Sequence, residues 1–388
     1  MMHGLLNGWR RRCLLGLLLT LLWTPLAFAH KASDAYLVLS VPTDVAKAAQ
    51  PTVMLQLSIA LRDVDVGVES VDRDQDRTLT WGEIRQAMPT ILAWVGDGLR
   101  LRCAGQAVPA TWALESLERR SDGTYLRVAS QAACAPTEAL TLDYRLLRDL
   151  DATHRLLIGG TLHGTPLAMV ALPQSNDAVT LHRGSTSGTS GMATLLRFFP
   201  EGVHHIATGY DHLAFLLALL LPIMLKRAPS KLAATLPPPG LGALVRTVTG
   251  FTLGHSLTLA LATFGWITAP GWVEPMIAIT IGIAALLNFY PQRWLRSDAL
   301  ALGFGLIHGM GFASLMLEAQ IAAPLLPWAL AGFNLGVEVG QLLGVALWCG
   351  VHLVLVRWRH YERVVVRGGS WALFGLALMW TGQRLWVS

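Results

Sequence analysis

The run His204-His205-Ile206-Ala207-Thr208-Gly209-Tyr210-Asp211-His212 gathers three imidazoles and a carboxylate at the mouth of an apolar stretch over 213–225. Such groups are costly at membrane depth unless they face a polar interior, so by default they mark an ion or substrate site. Three more stretches carry the same chemistry. They hold His255 with Thr249, Thr252 and Ser256, then His308 among Gly303, Gly305, Gly309 and Gly311, then Asn334 with Glu338 and Gln341. Imidazole with a few oxygen donors suits a borderline divalent ion such as nickel, cobalt or zinc; thiolates are absent, and an all-oxygen cage is not available. The expected site is therefore His205, Asp211, His212, His255, His308, Asn334 and Glu338. For any one of these, a helix–helix hydrogen bond is the simpler alternative.

Helical spacing supports the grouping. On one continuous helix, His204, His205, Thr208, Asp211 and His212 share an arc of about 120°, as do Thr249, Thr252, His255 and Ser256 on theirs. Gly332, Gly336, Gly340 and Gly344 recur every fourth residue, a smooth stripe against which another helix packs closely. Asn334, Glu338 and Gln341 occupy a different face, within about 60° of one another. Glu274 and Glu318 fall at outer ends of their stretches and are expected to be solvated, while His352 and Asn288 fall near inner ends, on a candidate exit path.

The elements that must hold these residues are apolar. The chain has 388 residues, 53% hydrophobic and 14% charged, with the apolar residues concentrated after residue 200, so the second half reads as a polytopic α-helical membrane domain in the lipid bilayer and the first as soluble. Six stretches approach the ~20 apolar residues a span needs, near 203–225, 242–264, 272–290, 299–319, 328–356 and 370–387. Lys226, Arg227, Lys231 and Arg246 flank the first connection; Arg293 and Arg296 lie in the third, and Arg357, Arg359, Arg363 and Arg367 in the fifth, whereas the second and fourth carry no Lys or Arg. The positive-inside rule puts the odd connections in the cytoplasm, and the soluble half and the C-terminus outside. The net charge of +5 is mostly this bias and is no sign of nucleic-acid binding.

The opening residues agree with that orientation. Arg10, Arg11 and Arg12, an apolar core over 14–22 and Ala27-Phe28-Ala29 describe a secretory signal over 1–29 cleaved before His30; an uncleaved anchor helix is the alternative. Cleavage would leave a free amine beside the His30 imidazole, a pair that chelates copper or nickel, or simply a polar terminus.

Residues 30–184 form the exported part. Runs rich in β-branched and aromatic residues at 35–41, 52–60, 124–129, 140–146 and 154–158 predict a mainly antiparallel β domain, a sandwich, with one helix near 82–95. A linker over 185–200, Ser/Thr/Gly-rich at 185–191, joins it to the membrane domain, 201–388. Cys103 and Cys134 lie in an oxidising compartment, where a disulfide competes with two buried thiols. Asp72, Asp74, Asp76, Thr78, Thr80 and Glu83 stand at the spacing by which an EF-hand loop wraps calcium. Arg77 replaces the usual glycine at the sixth position, and a solvated acidic turn is the alternative.

His205, Gly209, Asp211 and His212, then Gly254-His255-Ser256-Leu257-Thr258, His308-Gly309-Met310-Gly311-Phe312-Ala313, and Phe333-Asn334, Gly336, Glu338 and Gln341 together resemble the HupE/UreJ family of membrane proteins. The exported part resembles the family's long branch, in His30, Trp81-Gly82-Glu83 and Asp149-Leu150-Asp151-Ala152-Thr153-His154-Arg155. The resemblance implies a nickel or cobalt permease in a bacterial plasma membrane, with His205, Asp211 and His212 matching the signature of the first span. The short members lack so large an outer domain, and the resemblance names no protein partner. Two other functions fit the residues: a membrane oxidoreductase with span histidines as haem ligands, and a receptor or scaffold anchored by its spans.

Overall fold

The structure is a computed structural model that describes residues 34–40, 52–76, 78–120, 123–135, 138–162, 165–183, 190–225, 241–268, 270–289, 297–356 and 358–387. The expected signal, His30, Arg77, the connections over 226–240 and 290–296, and residues 184–189 of the expected linker lie outside these.

Alternation of apolar and polar residues builds the first half. In β3 (Leu99–Cys103), β7 (Ala139–Tyr144) and the first part of β2 (Thr52–Ala60), alternate side chains are buried, as a half-buried strand requires. With β1 (Asp34–Ser40), β4 (Gln106–Val108), β5 (Ala113–Arg120), β6 (Gly123–Ala133), β8 (Arg155–Leu162), β9 (Thr165–Pro166), β10 (Met169–Ala171) and β11 (Val179–Arg183), they form two sheets. The larger has the order β10-β8-β1-β2-β6-β5, with β9 beside β8, and the smaller β11-β7-β3-β4. Leu37, Leu55, Leu57 and Val128 of one sheet and Leu99, Leu101 and Leu142 of the other share one core. Into it α2 (Trp81–Gly98) inserts Ile84, Ile91 and Val95. The short α1 (Leu61–Gly67) follows β2. A disulfide joins Cys103 to Cys134.

The larger sheet is mixed. β8 runs parallel to β1, pairing Asp34 with Arg155 through Leu39 with Gly160. A parallel pair needs a long crossover, and here everything between the two strands intervenes, so no local signal announces it.

The second half is helical: α3 (Gly191–Thr208), α4 (Tyr210–Leu225), α5 (Leu241–Thr263), α6 (Val273–Leu287), α7 (Ser297–Glu318), α8 (Leu326–Leu355), and a π-helical turn, Glu362–Gly368, leading into α9 (Gly369–Val387). Two helical stretches, Leu326–Leu355 and Glu362–Leu385, are long and apolar enough to cross a membrane, and Tyr210–Leu221 and Val273–Leu287 are shorter apolar helices. Six spans are thus not established by length and hydropathy.

The first expected span differs most. Helix begins at Gly191 and is interrupted at Gly209, so residues 191–200 are helical rather than linker, and the polar run does not lie on one continuous helix. Gly209 adopts φ −78° and ψ 85°, outside the helical region. Its N–H still bonds the His205 carbonyl at 2.8 Å, and its carbonyl accepts from Leu213 N–H at 3.1 Å. A side chain there would crowd His212 Nδ1 at 3.0 Å.

The β domain is seated on the helices through a common core. Tyr36, Tyr125, Leu157 and Ala168 pack with Phe198, Ala319, Leu325 and Phe333. Polar links edge this contact. Arg155 pairs with Glu201 at 3.0 Å, Arg197 donates to the Ala168 carbonyl at 2.9 Å, and Gly160 N–H donates to the Gln320 carbonyl at 2.9 Å.

Candidate metal centre

Two close helix crossings assemble the centre. Side chains at Gly332 and Gly336 of α8 would run into the carbonyls of Leu195 and Phe199 on α3, and one at Gly202 into that of Phe333. At the second crossing, Gly305 and Gly309 of α7 face the carbonyls of Phe251 and His255 on α5. Small residues let backbones touch in this way. The first crossing fixes the end of α3, which carries His205; the second sets His255 against the helix of His308.

The interruption at Gly209 does not separate the histidines. His205, in the last turn of α3, and His212, in the first turn of α4, have ring centroids 4.7 Å apart. His212 lies 5.8 Å from His255 and 5.2 Å from His308, and His205 lies 6.3 Å from His255. One ligand nitrogen from each of His205, His212 and His255 lies within 4.8 Å of the other two. Phe215 and Phe251 pack on His308, at 5.4 and 5.2 Å, and Phe333 on His205 at 5.4 Å.

Hydrogen bonding makes these rings unusual. His212 Nε2, both ring nitrogens of His255, and His308 Nδ1 are sealed from solvent and make no well-formed hydrogen bond among the described residues, the Asn334 side chain being the polar neighbour of His255. Native structures leave few such atoms, and each calls for an explanation. For His308 the tautomer follows from its neighbour. Thr280 Oγ1 donates to the Ile277 carbonyl at 2.7 Å and lies 3.2 Å from His308 Nε2. With the hydroxyl proton committed, Nε2–H of a neutral imidazole donates to Thr280, and Nδ1 keeps a free lone pair. Asn334 behaves similarly. Its Nδ2 donates to the Leu330 carbonyl at 2.9 Å, leaving a buried Oδ1 with no well-formed hydrogen bond among the described residues, near the His255 ring.

The two expected carboxylates are engaged elsewhere. Thr249 donates to Glu338 at 3.0 Å, and Thr252 to Gln341 at 3.0 Å, so the polar face of α8 is bonded to α5. Asp211 Oδ2 forms an ion pair with Arg384 Nη2 at 2.6 Å. On a continuous helix Asp211 and His212 would share a face with His205; the interruption at Gly209 turns Asp211 toward α9. Arg384 and Thr280 were not anticipated. An isolated arginine within the apolar stretch over 370–387 was the available signal for the first; Thr280 offered none. Near the other helix ends, Asn288 donates to the Ala218 carbonyl and to Ser370 Oγ, both at 3.0 Å, and His352 Nδ1 lies 2.8 Å from the Tyr361 hydroxyl. Each of these residues ties elements together.

The acidic loop has a local order of its own. Carboxylate oxygens of Asp72, Asp74 and Asp76 lie within 4.8 Å of one another. Asp74 Oδ1 accepts Asp76 N–H at 3.3 Å, and Asp76 Oδ1 accepts Thr78 N–H at 2.7 Å. Thr80 caps α2 in a reciprocal pair with Glu83, whose carboxylate also accepts Arg73 N–H at 2.9 Å. Those bonds from Thr80 and Arg73 hold the Glu83 carboxyl down at about 2.

Residues 182–384, more than half of the chain, match the protein family described as HupE / UreJ protein. Comparison with curated proteins and with solved structures gave no match.

Proposed function

The chain belongs to the HupE/UreJ family of membrane proteins, a family associated with nickel and cobalt transport, and from that premise we propose that it is a permease for one of these ions. The observation that carries the reading is the set of sealed, unbonded imidazole nitrogens on α4, α5 and α7. Bonds of ~2 Å to a common ion put pairs of nitrogens ~3–4 Å apart, so the 4.8 Å span of His205, His212 and His255 closes on an ion with under about 1 Å of movement. His308 Nδ1 and Asn334 Oδ1 are the further donors. Neutral imidazoles suit nickel and cobalt, and an oxygen donor does not exclude either.

A site of neutral donors also suits passage. Conduction needs binding firm enough to admit the ion and weak enough to release it, and a ring of carboxylates would oppose release. The helices carrying the donors cross the bilayer, with the β domain outside, and ion movement follows rearrangement of the two glycine-packed pairs, α3 with α8 and α5 with α7, about a central site. In the outer domain, the Asp72, Asp74 and Asp76 oxygens suit a calcium ion in a structural role, with Glu83 joining once it leaves its helix cap.

Direct ring contact favours an ion over haem. Axial ligation needs two imidazoles facing each other across a porphyrin, whereas here His212 contacts three other imidazoles and Phe251. A receptor anchored by its helices gives no role to the buried nitrogens. Doubly substituted His212→Ala/His255→Ala protein should insert at the wild-type level yet lose cobalt and nickel uptake by cells. Undiminished uptake would remove the assignment.

A further inference from the structure

Arg384, from outside the histidine-bearing helices, forms an ion pair with the residue immediately before His212. Its guanidinium is held at two points. Nη2 bonds Asp211 Oδ2 at 2.6 Å, and Nη1 bonds the Glu274 carbonyl at the start of α6 at 2.9 Å. Asp211 immediately precedes His212, whose ring contacts His205, His255 and His308. The second carboxylate oxygen, Asp211 Oδ1, is sealed from solvent and has no hydrogen-bond partner among the described residues. Asp211 is thus half satisfied, by a cation tethered to the protein.

A carboxylate beside the imidazoles would draw a divalent ion, and a guanidinium in the same place repels it. Both effects are strong where water is excluded. If Arg384 stayed on Asp211, each ion would bind against a fixed positive charge; without Arg384, the empty centre would hold an uncompensated buried carboxylate. Resting on the permease reading above, we propose that Arg384 is the resident counter-cation of Asp211: it neutralises the carboxylate while the centre is empty, is displaced when the metal ion arrives, and returns to help expel it. The fork geometry suits an exchange of partners. An arginine can leave Asp211 while keeping the Glu274 carbonyl, so it stays close enough to return.

Cobalt binding to the purified full-length protein and cobalt uptake by proteoliposomes test this. Arg384→Gln should bind cobalt at least ten times more tightly than wild type while taking it up at a tenth of the rate or less, because the ion is no longer expelled. Arg384→Lys keeps the charge but not the fork, and should bind about three times more tightly with at least half the uptake. Adding Asp211→Asn to Arg384→Gln should abolish the gain in affinity. A merely structural arginine would give equal or weaker binding in both single variants, and that result overturns the proposal. Should Arg384→Gln fail to reach the membrane, Arg384→Lys decides alone, wild-type affinity counting against the proposal. If wild-type protein binds no cobalt, the permease reading fails and this inference falls with it.

Discussion

Gly336→Ala probes whether helix packing, and not only the histidines, sets the metal centre. The added methyl would stand 3.0 Å from the Gly202 Cα and closer still to the Phe199 carbonyl oxygen. Carbon pairs settle at ~3.5–4.0 Å, so α3 must retreat from α8 by ~1 Å. Overpacking of this size costs ~1–3 kcal/mol, which a large helical assembly tolerates. His205 lies one turn beyond Gly202 on α3 and moves with it. Its ligand nitrogen is within 4.8 Å of those of His212 and His255, and two ~2 Å bonds to one ion bridge at most ~4 Å, so the ring has little room to move away. A further retreat of ~1 Å takes His205 out of reach. Disturbing the support of a metal ligand weakens affinity by ~10- to 100-fold, and cobalt affinity of the purified variant should fall by that much while its elution and membrane insertion match wild type. Gly350→Ala, on the same helix but facing open space, should bind as wild type does. Wild-type affinity in well-folded Gly336→Ala would refute the link between the glycine crossing and the centre.

Two predictions concern the β domain. Burial holds His154 at about 4, below the ordinary 6.5; Asp151 opposes this, and Arg155 and Arg62 add to it. The folded state therefore disfavours the proton that the unfolded chain takes up. Stability is full above pH 6.5 and falls by about 3 kcal/mol as pH drops toward 4. Denaturant unfolding followed across that range should show the slope, and His154→Gln should flatten it; an unchanged slope in the variant would assign the loss to other groups. For the acidic loop, millimolar calcium should raise the unfolding temperature of wild-type protein by several degrees and leave Asp72→Asn/Asp74→Asn unmoved, and equal responses would rule out a bound ion there.

The sequence was legible at several places where a pattern is local, although the short alternating strand β3 was not among the expected segments. All five expected strand segments fall on strands β1, β2, β6, β7 and β8, and the expected helix is α2, because alternation and helical spacing are written over a few residues. β5 was missed because its charged side chains, such as Glu115, Glu118 and Arg119, hide its alternation. The parallel pairing of β1 with β8 is non-local and left no trace. Within the helices, the glycine stripe was read as a packing surface and meets α3 at Gly332, Gly336 and Gly340. His205, His212, His255 and His308 come together, while Asp211, at their edge, is paired with Arg384 and Glu338 is bonded to Thr249. Spacing reports a shared face but not which partner will claim a carboxylate. That depended on the interruption at Gly209 and on Arg384, nearly two hundred residues away.

The shared core beneath the β domain has a consequence for how the chain is made. Tyr36, Tyr125 and Leu157 emerge from the ribosome early, but the surface they rest on includes Ala319, Leu325 and Phe333, which are synthesised near the end. Strand β8 likewise awaits the Gln320 carbonyl for its Gly160 amide. If the first half is exported, as proposed, it can build its two sheets as soon as it clears the membrane, yet its seating face stays wet until α7 and α8 are in place. Maturation therefore ends at the junction of the two halves. Chains stalled before residue 319 should expose that aromatic face to proteases and chaperones.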